Sequence, residues 1–253
     1  MTRTATTTMR KIAMIVAGGS FALGLAPALQ AQPDDGVSVA DRAAVLNIAP
    51  LRFEFSKDEA TATLRLTNTS ARDLPVQTRV FAWTQDGGED TYAPSTDLTV
   101  SPSIISIPAG QTQIVRVMRR SAPGQGEKRF RLAVDQLPDP DAAKFGGADA
   151  LIRFTIPVFA DRETAAPARL DWRIAADRIE LVNAGGQTSR VAGIKVTTSG
   201  GREIEVERNS LRYVQGSSTI AWPIQGGCGL GRVKITAQLD GQTVDVEPQT
   251  LCS

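Results

Sequence analysis

The sequence contains no histidine. That absence removes the usual general base, the commonest metal ligand and every Ser-His or Cys-His nucleophile pair, so most hydrolase mechanisms are closed to the chain. What remains for chemistry is a set of carboxylates, arginines and lysines, and two cysteines, Cys228 and Cys252. Glycoside hydrolysis needs two acids facing one cleft, whereas the acids here are scattered over loops and strand exteriors. The run 86-DGGED-90 lacks the alternating oxygen ligands of a calcium loop and reads as a solvated hairpin tip. Arg119 and Arg120 beside Lys128 and Arg129 form a local basic patch that reads as the flank of a folded domain. No phosphate loop, metal-ligand spacing or catalytic triad is present, so the sequence implies neither an enzyme nor a cofactor.

The elements that carry these residues begin with an export signal. Arg10 and Lys11 precede the apolar run 12-IAMIVAGGSFALGLAPAL-29 and the polar 30-QAQPDDG-36, the order of a secretory signal peptide. Cleavage is expected after Ala31, with Ala28 as second choice, which makes residues 1–31 the signal. Gly18, Gly19, Ser20, Gly24 and Pro27 interrupt the run and it is short for a bilayer span, so no stable membrane insertion is expected after cleavage. In an oxidising compartment an isolated cysteine pair reads as one structural disulfide, here Cys228 to Cys252, contributing roughly 3 kcal/mol on a chain-entropy model. Charge is balanced, with 28 Lys and Arg against 27 Asp and Glu. Nothing in it calls for nucleic acid.

After a disordered-looking 32–43, apolar alternation at period two continues to the end with frequent turn residues, and helical spacing is absent outside the signal. Strands are expected at 45–55, 60–68, 74–84, 98–106, 111–119, 127–137 and 150–160, enough for one β-sandwich. The polar 161-DRETAAPARL-170 reads as a linker. A second set, at 168–175, 178–183, 190–198, 202–207, 210–214, 218–224, 231–239 and 242–250, forms a second sandwich. The fold class is therefore all-β, with domains expected at 44–160 and 168–253.

Three stretches, 49-APLRFEFSKDEATATLRLTN-68, 98-LTVSPSIISIPAGQTQIVRV-117 and 128-KRFRLAVDQLP-138, resemble in order and spacing the periplasmic pilus chaperones, the PapD-like family of the chaperone-usher pathway. The triplet Phe130-Arg131-Leu132 is similar to that of the archaic, spore-coat-U type. The resemblance implies two immunoglobulin-like domains in a boomerang, and a periplasmic, non-enzymatic protein. Its partners would be immunoglobulin-like pilin subunits of spore-coat-U type and an outer-membrane usher. The chaperone would lend its G strand, 150–160, to complete the pilin's sandwich by β-strand addition.

A donor strand needs alternate large apolar side chains on one face and an unpaired edge. Ile152, Phe154, Ile156 and Val158 share one face, continued by Ala148 and Ala150; Leu151, Arg153, Thr155, Pro157 and Phe159 form a mixed other face. The preceding loop 138–150 would order upon binding. In the family an Arg on the first strand and a Lys on the G strand hold the pilin's terminal carboxylate, which fixes the register of the added strand. The resemblance carries the first role to Arg52. The lysine's place falls on Pro157, which has no charge, so Arg131 on the neighbouring strand is the expected substitute. Two other classes remain in view: an exported immunoglobulin-like structural or adhesive module with its G strand covered, and an exported β-sandwich enzyme using carboxylates.

Overall fold

The computed structural model describes residues 46–138 and 151–251, the side chains of residues 209 and 210 excepted. The expected signal at 1–31 and Cys252 lie outside the described residues, as does nearly all of the expected loop 138–150.

The first sandwich contains β1 (Leu46–Ala49), β2 (Phe53–Phe55), β3 (Thr61–Asn68), β4 (Leu74–Asp86), β5 (Glu89–Pro94), β6 (Leu98–Ser101), β7 (Ile104–Ile107), β8 (Thr112–Arg119), β9 (Lys128–Gln136) and β10 (Arg153–Ala160). One sheet runs β1-β3-β8-β6; the other runs β2-β10-β9-β4-β5, with β7 also paired to β4. Alternation drives the packing. Leu64 and Leu66 of β3 and Val115 and Val117 of β8 face Phe130, Leu132 and Val134 of β9 across a buried apolar core, while the residues between them point outward. Truncating one of these to alanine would cost about 2–5 kcal/mol.

Two expected strands are each divided between the sheets. The stretch 45–55 leaves the first sheet after Ala49, crosses through Pro50 and joins the second as β2. The stretch 98–106 pairs with β8 through Ser101, crosses at Pro102 and pairs with β4 as β7. Proline cannot donate to a ladder, so each crossing falls where no ladder bond is lost. The pause at Pro108-Ala109-Gly110 is a tight turn: Gln111 N–H donates to Pro108 O at 3.0 Å, and Gly110 has φ 70°. Positive φ at the third turn position asks for glycine.

The second sandwich contains β11 (Leu170–Ala175), β12 (Arg178–Asn183), β13 (Ser189–Thr198), β14 (Glu203–Val214), β15 (Ser218–Pro223), β16 (Val233–Leu239), β17 (Gln242–Val246) and β18 (Gln249–Thr250). Its sheets run β15-β12-β11-β18 and β14-β13-β16-β17 around a core that includes stacked Trp172 and Trp222. The two strands expected at 202–207 and 210–214 are one strand, β14. No described cysteine is a free thiol.

Both sandwiches belong to one compact unit. The expected linker is bound on both sides: Lys57 N–H donates to Glu163 Oε1 at 2.7 Å, Gly126 N–H to Thr164 Oγ1 at 2.8 Å, and Gly186 N–H to Ala166 O at 3.0 Å. Within it Asp161 is fully buried with φ 58°, and Arg119 donates to its carboxylate at 2.5 Å. Next to it Glu127, whose side chain is fully buried, pairs with Arg129 of β9 and with Arg162 of the joint itself, and accepts from Thr188 N–H of the second half at 2.9 Å. A polar composition hid a fixed joint.

Candidate functional site

The strand β10 is bounded unequally along its two edges. Along its whole length it pairs antiparallel with β9, from Arg153 opposite Asp135 to Ala160 opposite Lys128. On the other edge β2 pairs only with Val158, Phe159 and Ala160. Residues 153–157 therefore have one strand neighbour among the described residues. Gln136 N–H donates to Ile152 O at 3.0 Å, and an antiparallel ladder alternates every residue. Phe154 and Ile156 thus turn their backbone groups toward β9, while Arg153, Thr155 and Pro157 turn theirs toward the open edge. Pro157 lacks only an N–H that would have pointed away from β9.

Side chains divide differently from the expectation. Ile156 and Val158 lie in the sandwich's own core, 2% and 0% exposed, and Phe154 is half-buried against the same core. The reason is that the even-numbered face of β10 looks across to the β3-β8 sheet for as long as that sheet lies opposite. Only Ile152, 41% exposed, leaves that cover, and Leu151 beside it is also exposed. The apolar face is open at its N-terminal end and closed at the other.

At the closed end the outer face of the sheet carries an aromatic cluster that the sequence reading did not find. Trp83 of β4, Phe159 of β10 and Tyr213 of β14 are buried together, Trp83 and Tyr213 edge to face at 5.2 Å between centroids. Both expected anchor residues sit on it. The Arg52 guanidinium is 4.5 Å from the Phe159 centroid, and its Nε donates to Glu54 Oε1 at 2.7 Å. The Arg131 guanidinium lies 3.8 Å above Trp83 and 4.9 Å from Tyr213, with Asp90 Oδ2 3.7 Å away. Such stacking stabilises a guanidinium by about 2 kcal/mol where water is excluded. Stacking does not itself occupy the in-plane donors: Arg52 turns its Nε and Nη2 to Glu54, whereas Arg131 Nε is buried without a hydrogen-bond partner. A planar group with unspent donors suits a carboxylate or a backbone carbonyl.

The tip 86-DGGED-90 is a two-residue hairpin, Asp86 opposite Glu89, with positive φ at both Gly87 and Gly88. That is the turn whose twist matches the strands it joins. Asp86, Gly87, Glu89 and Asp90 are exposed, as expected of a solvated tip, but the hairpin is also docked: Arg212 donates to Gly88 O at 3.0 Å, and Gln85 donates to Tyr213 O at 2.6 Å while accepting from Gln215 N–H at 2.9 Å. Tyr92 donates to Asp90 at 3.1 Å. Burial and the Asp90 charge raise the Tyr92 pKa above its ordinary value, although Arg131 opposes them.

The basic patch also divides. Arg119 is buried on Asp161, Lys128 pairs with Asp97 at 3.2 Å, and Arg129 is consumed by Glu127, Thr188 and Gly186 O. Arg119 and Arg129 hold the joint between sandwiches, while Lys128 pairs within the first. The signal that could have found the Glu127 network is a lone acid inside the run 127-EKRFR-131.

Residues 45–162 match the family model described as "Pili and flagellar-assembly chaperone, PapD N-terminal domain". Among solved structures, the CsuC-CsuE chaperone and tip adhesion subunit complex from archaic chaperone-usher Csu pili of Acinetobacter baumannii matches at 22% identity and TM-score 0.64, covering 82% of this chain and 100% of that one. The E. coli chaperone DraB matches at 19% identity and TM-score 0.57, over 81% of this chain and 97% of that one. The complex of Salmonella enterica SafA pilin with the SafB chaperone matches at 16% and 0.57, over 81% and 97%. A comparison with the curated proteins finds no match. The all-β fold is that of the two-domain PapD-like chaperones.

Proposed function

We propose that this protein is a periplasmic chaperone of pilus assembly, without enzymatic activity, which holds unfinished pilin subunits by donor-strand complementation and delivers them to an outer-membrane usher. The observation that carries the reading is the open edge at 153–157 of β10, which begins at exposed Ile152 and ends beside two stacked arginines. An extended pilin segment added there takes backbone hydrogen bonds from Arg153 and Thr155, and its terminal carboxylate reaches Arg52 and Arg131. The donor side chains on offer in the free protein are Ile152 and the outer part of Phe154. Ile156 and Val158 continue the same face inside the core, where they back the strand.

The likeness to a chaperone carrying a tip subunit of archaic pili supports a client of the spore-coat-U type. Export through the signal at 1–31 and a Cys228–Cys252 bridge belong to the same reading, in keeping with the lack of a free thiol at Cys228.

The test is Arg52→Ala in cells that co-express a spore-coat-U-type pilin, with periplasmic pilin compared at equal chaperone. The pilin should be lost to proteolysis while the chaperone stays folded, since the substitution removes a partly exposed charge from the rim of the sheet. Undiminished pilin would remove Arg52 from the site. The same measurement on Arg131→Ala asks separately whether Arg131 replaces the missing lysine.

A further inference from the structure

The open edge of β10 poses a mechanical problem. A strand paired on one side only is free to fray, and a slip of one residue would exchange its two faces. The C-terminal end is fixed, since Val158, Phe159 and Ala160 lie between β9 and β2. At the other end the outer face carries a carboxylate that the aromatic cluster and the joint do not use. Asp135 of β9 is 7% exposed. Arg153, directly opposite it on β10, donates to its Oδ1. Arg79 of β4 donates to its Oδ2 from Nη2 at 2.7 Å and from Nε at 3.2 Å. Arg79 is paired in register with Ala133, so it reaches Asp135 diagonally. One buried carboxylate thereby ties three adjacent strands at the level where the open edge begins.

We propose that Asp135 is a positioning residue for the open edge: by holding Arg153 and Arg79 together it locks the register of the β10 segment to which a partner strand adds. The proposal rests on the chaperone reading for its purpose, but the lock itself is a property of the free protein. Exposed ion pairs contribute little to stability, and Arg153 is itself mostly exposed, with 61% side-chain accessibility. The effect is accordingly local. It bears on when residues 152–156 separate from β9, not on whether the sandwich folds.

Native-state hydrogen exchange on the full-length free protein tests this. In Asp135→Asn the amides of Phe154 and Ile156 should exchange about two- to fivefold faster, the scale of one lost, partly exposed ion pair, while Leu66 and Val117 in the core keep their protection. Because Asp135 is buried, Arg153→Gln serves as a second variant that leaves the core untouched; it should give the same local acceleration. Arg153→Lys should restore most of it. Unchanged exchange at Phe154 and Ile156 in both variants overturns the proposal, as does acceleration that is equal at Leu66. Failure of the wild-type protein to capture a pilin would count against the chaperone reading alone, since the exchange measurement needs no partner.

Discussion

Pro157 on β10 stands directly opposite Arg131 on β9. The two share the outer face of the sheet, so a charge expected on one strand is available from its immediate neighbour. Pro157 gives up its N–H on the edge that lacks a strand partner, where it costs no ladder bond. Arg131 has the reach and planarity to stack on Trp83 of β4, with its Nη2 3.7 Å from Asp90 Oδ2 of β5. A lysine at Pro157 would have been a flexible point charge; the arginine is a fixed one.

The stacking makes Arg131→Lys a non-conservative change. An ammonium has no planar face to lay on Trp83 and Tyr213, and it would be desolvated beside them. We expect a loss of about 1–2 kcal/mol in unfolding free energy, measured by denaturant titration, and weaker pilin capture. A variant with wild-type stability and capture would show that only the positive charge matters.

Gly88 and Gly87 offer a matched pair. A Cβ at Gly88 would lie 2.9 Å from Thr219 O, in backbone with φ 87°, whereas Gly87 has φ 58° and open space around it. Gly87→Ala should cost about 1 kcal/mol, from dihedral strain alone. Gly88→Ala should cost about 1–3 kcal/mol more because the hairpin must also lift from the second sandwich. Equal melting temperatures for the two variants would mean that the docked tip adds nothing to stability.

At the joint, Glu127→Ala should be severe. Removing this carboxylate leaves Arg129 and Arg162 with buried charge that no acid offsets, a change that costs about 3–5 kcal/mol. The expected readout is a large fall in melting temperature, together with new proteolytic cleavage within 161–170. Resistance of that segment to protease in the variant would show that the joint is held by its other contacts.

Acid should weaken the same region. Burial raises the Asp161 carboxyl, but the hydrogen bonds from Arg119 and Gly124 N–H and the charges of Arg119 and Lys128 outweigh it, so its pKa lies below the ordinary aspartate value. A depressed folded pKa contributes stability that is present above the unfolded value, about 3.9, and is lost as pH falls through the folded value. Melting temperatures taken from about pH 7 down to about pH 2 should therefore converge for wild type and Asp161→Asn at the acid end. A constant gap between the two curves would assign the effect to packing.

The pattern of apolar residues made the strands and their inward faces legible, because alternation is a local property. Val134, Leu66 and Val117 could be placed in a core from their neighbours alone. Where a strand changes sheets is not local: Pro50 and Pro102 mark the crossings, but which sheet follows depends on partners far along the chain. β5 escaped notice because 89-EDTYAP-94 lies on the surface and has no buried face to imprint a period. Of the candidate site, Arg52 and Arg131 can be named from the sequence as proposed anchors, yet Tyr213, which completes the aromatic cluster under Arg131, comes from the other sandwich, and no spacing links it to Trp83. The closed half of the donor face was misjudged for a related reason, since period two assigns Ile156 and Val158 to one side without saying what lies opposite.

The graded cover over that face yields the sharpest test. A charge at Ile152 enters a position already 41% exposed, so Ile152→Asp should leave the melting temperature of the free protein nearly unchanged. In a complex the same position would face the apolar groove of the pilin, and a carboxylate buried there without a partner costs several kcal/mol. Capture should collapse. Phe154→Asp should show both effects at once, with a moderate loss of stability because that ring is half-buried against the core. Val134→Asp, at a position with no exposure, should unfold the protein outright. The measurements are paired: melting of each purified variant, and co-purification of a pilin from the periplasm. If Ile152→Asp keeps full capture while Arg153→Asp or Thr155→Asp abolishes it, the partner reads the opposite face of β10, and the donor residues become Leu151, Arg153 and Thr155.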